Sequence, residues 1–135
     1  MENDCIFCKI IRSEIPSRKV YEDDSVYVFL DLHPVNLGHT LVVPKAHSRN
    51  ILEITEEDLA AIASAAKRVS QALMEGGATG VNVMMNNEAP AGQVIFHTHC
   101  HVVPRYEGDG FTHWRGAPQT EEAMEAKRTE LASKL

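Results

Sequence analysis

The run Val94-Ile95-Phe96-His97-Thr98-His99-Cys100-His101-Val102-Val103-Pro104 constrains this chain more than any other segment. It is rich in β-branched and aromatic residues and reaches a proline, which predicts a strand that ends there. Strand side chains alternate, so His97, His99 and His101 are predicted to project from one face, about 7 Å apart per step. Phe96, Thr98, Cys100 and Val102 fall on the other face, which is expected to pack into the core. Three titratable rings in one row are hard to explain as packing. The row is therefore where chemistry is expected.

A chain of 135 residues, 44% hydrophobic and 24% charged, suits one soluble domain with an ordinary core. No apolar stretch approaches the roughly 20 residues of a membrane span. The acidic start Met1-Glu2-Asn3-Asp4 is unlike a secretory signal. Three cysteines, two of them in Cys5-x-x-Cys8, suit a reducing cytoplasm better than a disulfide framework. A formal charge of −6 argues against a generic nucleic-acid binder. An anionic substrate would need its positive field built locally.

Residues Cys5 to Ile11 can make a short helix, stopped before Pro16. Val20 to Glu22 and Val26 to Leu30 are short β-rich runs joined by the turn Asp23-Asp24-Ser25. A loop punctuated by Pro34 and Gly38 leads into a third strand, Thr40 to Pro44. Thr55 is a good N-cap, and Leu59, Ile62, Ala66, Val69 and Leu73 recur at helical spacing until Gly76-Gly77 stops the helix. Val81 to Met85 reads as a fourth strand, with Met84 and Met85 as packing residues. Asn86 to Gln93 is a loop, and Ala117 to Leu135 reads as a C-terminal helix capped by Thr120. Short strands around one main helix point to α+β with an antiparallel sheet.

Spacing alone leaves three readings of the row open. His-x-His plus another histidine on a sheet can hold a catalytic metal whose last position is left for water. One imidazole can act as a nucleophile while its neighbours hold charge and protons. Hydrogen-bonded structural histidines are the third. The loop Asn86-Asn87-Glu88-Ala89-Pro90-Ala91-Gly92-Gln93 tips the balance. Gly92 lets backbone approach a ligand, and successive N–H groups can form an anion-binding nest. A phosphate would suit such a site, with imidazolium groups supplying positive charge.

Gly92-Gln93 followed by His97-Thr98-His99-Cys100-His101-Val102-Val103-Pro104-Arg105 resembles the signature of the histidine triad (HIT) family. Cys5-Ile6-Phe7-Cys8-Lys9-Ile10-Ile11, Glu14-Ile15-Pro16, Phe29-Leu30-Asp31 and Gly38-His39-Thr40-Leu41-Val42-Val43-Pro44-Lys45 resemble its microbial members. The resemblance covers about residues 5–105, leaving 106–135 as an extension of a single domain spanning 1–135.

The resemblance implies a five-stranded antiparallel sheet, a homodimer and a nucleotide hydrolase or transferase acting on a purine nucleotide's α-phosphorus. By position, His99 is then the nucleophile, while His101 and the loop amides of Gln93 and Val94 hold the non-bridging oxygens. Asn86, Gly92 and Ile95 belong to the same phosphate region. Asp31 matches the ribose-gripping position and Leu32 the base pocket, and His39 is expected as support close to His97. Zinc-containing members imply a structural Zn2+ held by Cys5, Cys8, His47 and His97. That splits the row, giving His97 to the metal and His99 and His101 to catalysis. Adenosine phosphoramidates and diadenosine polyphosphates are the leading substrates, with a purine-nucleotide-binding protein of little turnover or a three-histidine zinc hydrolase as alternatives. Thr98 fits an apolar motif position weakly, and Val94 offers only its N–H where some members carry a hydroxyl. His33, His113 and Trp114 have no assigned role, and Cys100 is expected as a buried thiol.

Overall fold

A computed structural model describes residues 3–135. Its elements in chain order are α1 (Ile6–Ile11), β1 (Lys19–Glu22), β2 (Val26–Leu30), β3 (Thr40–Pro44), α2 (Glu56–Glu75), β4 (Gly80–Met84), β5 (Cys100–Arg105) and α3 (Glu121–Ala132), with a 3-10 turn at Ala89–Ala91. The five strands form one antiparallel sheet in the order β1-β2-β3-β5-β4. The predicted α+β architecture, with one main helix on the sheet, is what the chain adopts.

Every residue of β3 and the first four of β2 are buried, because the sheet is covered on both faces. On one face α2 lays Ile62, Ala65 and Ala66 against Val26, Val28, Val42, Cys100 and Val102. Ala65 joins the predicted stripe, whereas Val69 and Leu73 are only partly buried. Each fully buried aliphatic side chain here contributes about 1.5–3 kcal/mol of transfer free energy. Thr55 caps α2 by accepting the Asp58 N–H at 3.1 Å, and Gly76 closes it. On the other face Phe7 and Ile10 of α1 pack with Tyr27, Phe29, Leu41 and Val43.

Register decides which face the chemistry occupies. Leu41 lies opposite His101 and Val42 opposite Cys100, and cross-strand partners share a face. His101 therefore stands on the α1 side, and Cys100 on the α2 side, where burial pushes its thiol up to about 11.

The predicted histidine strand is shorter than its sequence. It starts only at Cys100 and runs through Pro104 to Arg105, so His97 and His99 lie in the approach to it. Continuing the β3–β5 register would set Pro44 opposite Thr98, and proline has no N–H to offer the ladder. Thr98 instead donates its N–H to Ser48 O at 2.8 Å. The alternation expected upstream also fails, because Phe96 is exposed while His97 and Thr98 are buried. Met84 is likewise more exposed than a packing residue would be. From Gly110 to Leu135, α3 included, every residue is exposed.

Candidate active site and metal centre

Hydrogen bonding gives each histidine of the row a different wiring. A ring nitrogen that faces a carbonyl must carry the proton, and the other nitrogen then keeps its lone pair. His99 Nδ1 donates to its own chain at His97 O, 2.7 Å away, which leaves Nε2 as the lone-pair nitrogen. His97 Nε2 donates to Pro44 O at 2.8 Å, so His97 Nδ1 is the lone-pair side. That nitrogen lies 3.4 Å from Cys5 Sγ, 3.5 Å from Cys8 Sγ and 3.1 Å from His47 Nδ1.

His101 is wired through His39. The Val35 N–H donates to His39 Nδ1 at 3.1 Å, so the His39 proton sits on Nε2. His39 Nε2 then donates to His101 Nδ1 at 2.9 Å, and His101 must carry its proton on Nε2. The result is a bare nitrogen on His99 and an N–H on His101, on rings whose centroids are 4.9 Å apart. His39 thus supports His101, not His97 as expected; its neighbour is set by β3 pairing with β5, Thr40 opposite Val102.

Burial holds these imidazoles neutral. It lowers His39 and His99 below the ordinary histidine range, and it lowers His97 and His101 to about 4. Positive charge on His99 or His39 would further oppose protonation of His101. The imidazolium charge expected for a phosphate site is therefore absent from the unliganded protein, and the site offers neutral N–H donors. Phe7 holds the His99 ring edge-on at 5.2 Å and the His97 ring at 5.8 Å. Nothing in the sequence singles out Phe7, an apolar residue between two cysteines.

Asp31 lies 3.7 Å from His39 through Oδ2, while Oδ1 accepts the His33 N–H at 2.8 Å. Leu32 beside it is 67% exposed. Asp31, His39 and His101 are close enough to suggest a second metal cluster. The wiring argues otherwise, since His39 presents a proton and not a lone pair to that space.

Gly92 has φ +92°, a left-handed conformation that suits glycine, and the Asn86 amide lies beside it. Gln93 occupies a different place from the one expected. Its N–H donates to Glu88 O at 3.2 Å, and its side-chain amide bonds Asn50, Glu88, Arg49 and Ile95. Among the described residues, neither the Val94 nor the Ile95 N–H has a hydrogen-bond partner. Ile95 packs against the cluster that contains Phe7. His33 is exposed, as is His113, and Trp114 is 96% exposed beside β4.

Cys5, Cys8, His47 and His97 bring their donor atoms within 4.8 Å of one another. Tetrahedral zinc with bonds of about 2.0–2.3 Å sets its donors roughly 3.3–3.8 Å apart, close to the separations found here. The donor set fits zinc, and the proton on His97 Nε2 aims the correct nitrogen at it. No cluster among the described residues joins His97, His99 and His101.

The alternating histidines lie at and just before the start of β5, in an antiparallel sheet with one main helix, and their motif is the one that resembles the histidine triad signature. The chain belongs to that family: its HIT domain model matches residues 12–108. Adenylylsulfatase HINT3 of Arabidopsis thaliana is 46% identical over 81% of this chain and 56% of its own length. The crystal structure of a HIT family member from Bacillus subtilis is 40% identical, covers 98% of each chain and superposes with a TM-score of 0.90. A zinc-bound histidine triad protein from Mycobacterium smegmatis is 35% identical over 98% of each chain, with a TM-score of 0.78.

Proposed function

We propose that this protein is a nucleotide hydrolase that cleaves a nucleoside phosphoramidate or dinucleoside polyphosphate at the α-phosphorus. The observation that carries this reading is the opposite wiring of His99 and His101. The His99 Nε2 lone pair attacks phosphorus, a P–N bond forms, and the leaving group departs with its bonding pair, a leaving amine taking up a proton from solvent. His101 Nε2–H and the N–H groups of Val94 and Ile95 steady the non-bridging oxygens as charge builds. Water then attacks phosphorus, gives up a proton to solvent, and returns the electron pair to His99 as the nucleoside monophosphate leaves. Asp31 grips the ribose, Leu32 borders the base, and Asn86 and Gly92 shape the phosphate loop. His39 supports His101.

Zinc at Cys5, Cys8, His47 and His97 would fasten the N-terminal segment to the sheet and fix His97. Thiolate ligands of this kind suit a reducing compartment such as the cytoplasm. The purine is of the adenosine type, in keeping with a relative named an adenylylsulfatase.

A panel of adenosine and guanosine phosphoramidates, dinucleoside polyphosphates and adenylyl sulfate tests the reading. Release of nucleoside monophosphate, with label from the nucleotide trapped on His99 after rapid denaturation, is the expected result. Binding of adenosine monophosphate without turnover of any member would favour a binding protein instead.

The chain also forms a homodimer through its β4 edge. β4 ends the sheet with Val83 and Met84 exposed, beside a groove of about 480 Å3 lined by Leu59, Ile62, Ala66 and Cys100. Light scattering at micromolar concentration should give twice the 15.0 kDa of one chain. A monomer mass would refute the dimer.

A further inference from the structure

Five consecutive residues after β3, His47 to Ile51, bond one after another to the segment between Asn87 and Thr98. His47 meets His97, and the Ser48 hydroxyl meets Thr98 Oγ1 at 2.7 Å. Arg49 holds Glu88 through two bonds of 2.9 and 2.7 Å and lies over the Phe96 ring. Asn50 Nδ2 donates to Glu88 Oε1 at 2.8 Å and to Gln93 Oε1 at 3.1 Å. The Ile51 N–H donates to Asn87 Oδ1 at 2.9 Å.

Two features make Asn50 the centre of this brace. First, it is buried, 1% exposed, as is Gln93 at 4%, and each side-chain amide uses both its ends. Second, the loop it holds is strained. Glu88 has φ +73° and ψ 158°, a region that glycine alone adopts comfortably. Such a conformation persists only where its surroundings fix it. Here the Glu88 carboxylate is held by Arg49 and Asn50, and its N–H by Gln93 Oε1 at 2.8 Å. Relaxation at Glu88 would swing the chain through Gly92 and displace the N–H groups of Val94 and Ile95.

The geometry points to Asn50 as a positioning residue that clamps the 86–95 loop, through Glu88 and Gln93, in the shape that receives phosphate. The role at phosphate rests on the function proposed above; the clamp itself rests on the hydrogen bonds alone. Asn50 touches no reacting atom, so its effect runs through the loop backbone. Nucleoside contacts at Asp31 lie outside the brace.

Asn50→Asp tests it, since the shape is kept but an oxygen replaces the donor that faces two oxygens. Amide exchange in the unliganded protein should quicken at residues 86–95 and stay unchanged in β3 and β5. Affinity for adenosine should hold within about 2-fold while affinity for adenosine monophosphate falls about 10-fold, and kcat should fall on the order of 100-fold. Adding Glu88→Gln to the same chain returns a donor opposite the introduced carboxylate and should recover much of the loss. Gln93→Glu, which places an oxygen before the Arg49 carbonyl, should reproduce the pattern if Asn50→Asp does not fold. Unchanged loop exchange, or a loosened loop with wild-type kcat and phosphate affinity, would overturn the clamp. Equal losses for adenosine, adenosine monophosphate and zinc would reduce Asn50 to a general structural residue and overturn it too. If the wild-type protein turns nothing over, the hydrolase reading fails, and loop exchange with the two affinities still decides the clamp.

Discussion

His99→Asn should abolish turnover, by about 10^4-fold or more, while leaving adenosine monophosphate affinity and zinc content near wild type. The asparagine side chain can still donate toward His97 O, in place of the ring Nδ1 that lies 2.7 Å from it. It has no nitrogen lone pair of imidazole basicity to offer phosphorus. Surviving activity would show that the nucleophile is another group. Loss of zinc with activity would instead favour a metal shared by all three histidines.

The same assignment fixes a pH profile. Burial lowers His99 below the ordinary 6.5, and attack needs the unprotonated ring. Activity per free enzyme should therefore climb with pH on an acid limb whose midpoint lies below pH 6.5, because the ring loses its proton at its lowered pKa. The limb should vanish with the residual activity of His99→Asn. An acid limb centred above 6.5 in kcat/KM would contradict a buried, desolvated nucleophile.

Protein from zinc-supplemented medium should carry one zinc per chain, and Cys8→Ala should carry none. Cys8 is wholly buried, its Sγ 3.4 Å from His47 Nδ1 and 3.5 Å from His97 Nδ1, so no solvent ligand replaces it readily. Structural zinc sites supply folding free energy outright, and α1 offers only Phe7, Ile10 and their neighbours to hold its place. The melting temperature of Cys8→Ala should fall by roughly 10 °C or more, as a loss of several kcal/mol implies for a domain of this size. Catalysis should fall less steeply than for His99→Asn, since His97 would keep its bond to Pro44 O. Wild-type protein without stoichiometric zinc would refute the metal centre.

The sequence is legible where its signals are local. Thr55 and Gly76 bound α2 as expected, because a cap needs only nearby residues. β2 and β3 match their sequence runs residue for residue. The histidine strand is shorter than its run suggests, because its limit is set by Pro44 on another strand. His39 meets a different histidine from the one expected for a similar reason. Gln93 looks like a substrate ligand because it adjoins Gly92, yet its partners Arg49 and Asn50 lie 44 and 43 residues away in the chain. Nothing in the sequence marks Asn50, a lone amide in a polar run.

By itself the sequence determined the kind of fold and marked where chemistry is expected, since hydrophobic period, caps and the spacing of histidines are properties of neighbouring residues. Tertiary structure decided which nitrogen carries which proton. That depends on His97 O, Pro44 O and the Val35 N–H, groups every chain possesses and only folding can aim. The row of three alike histidines thereby becomes three rings with three different wirings.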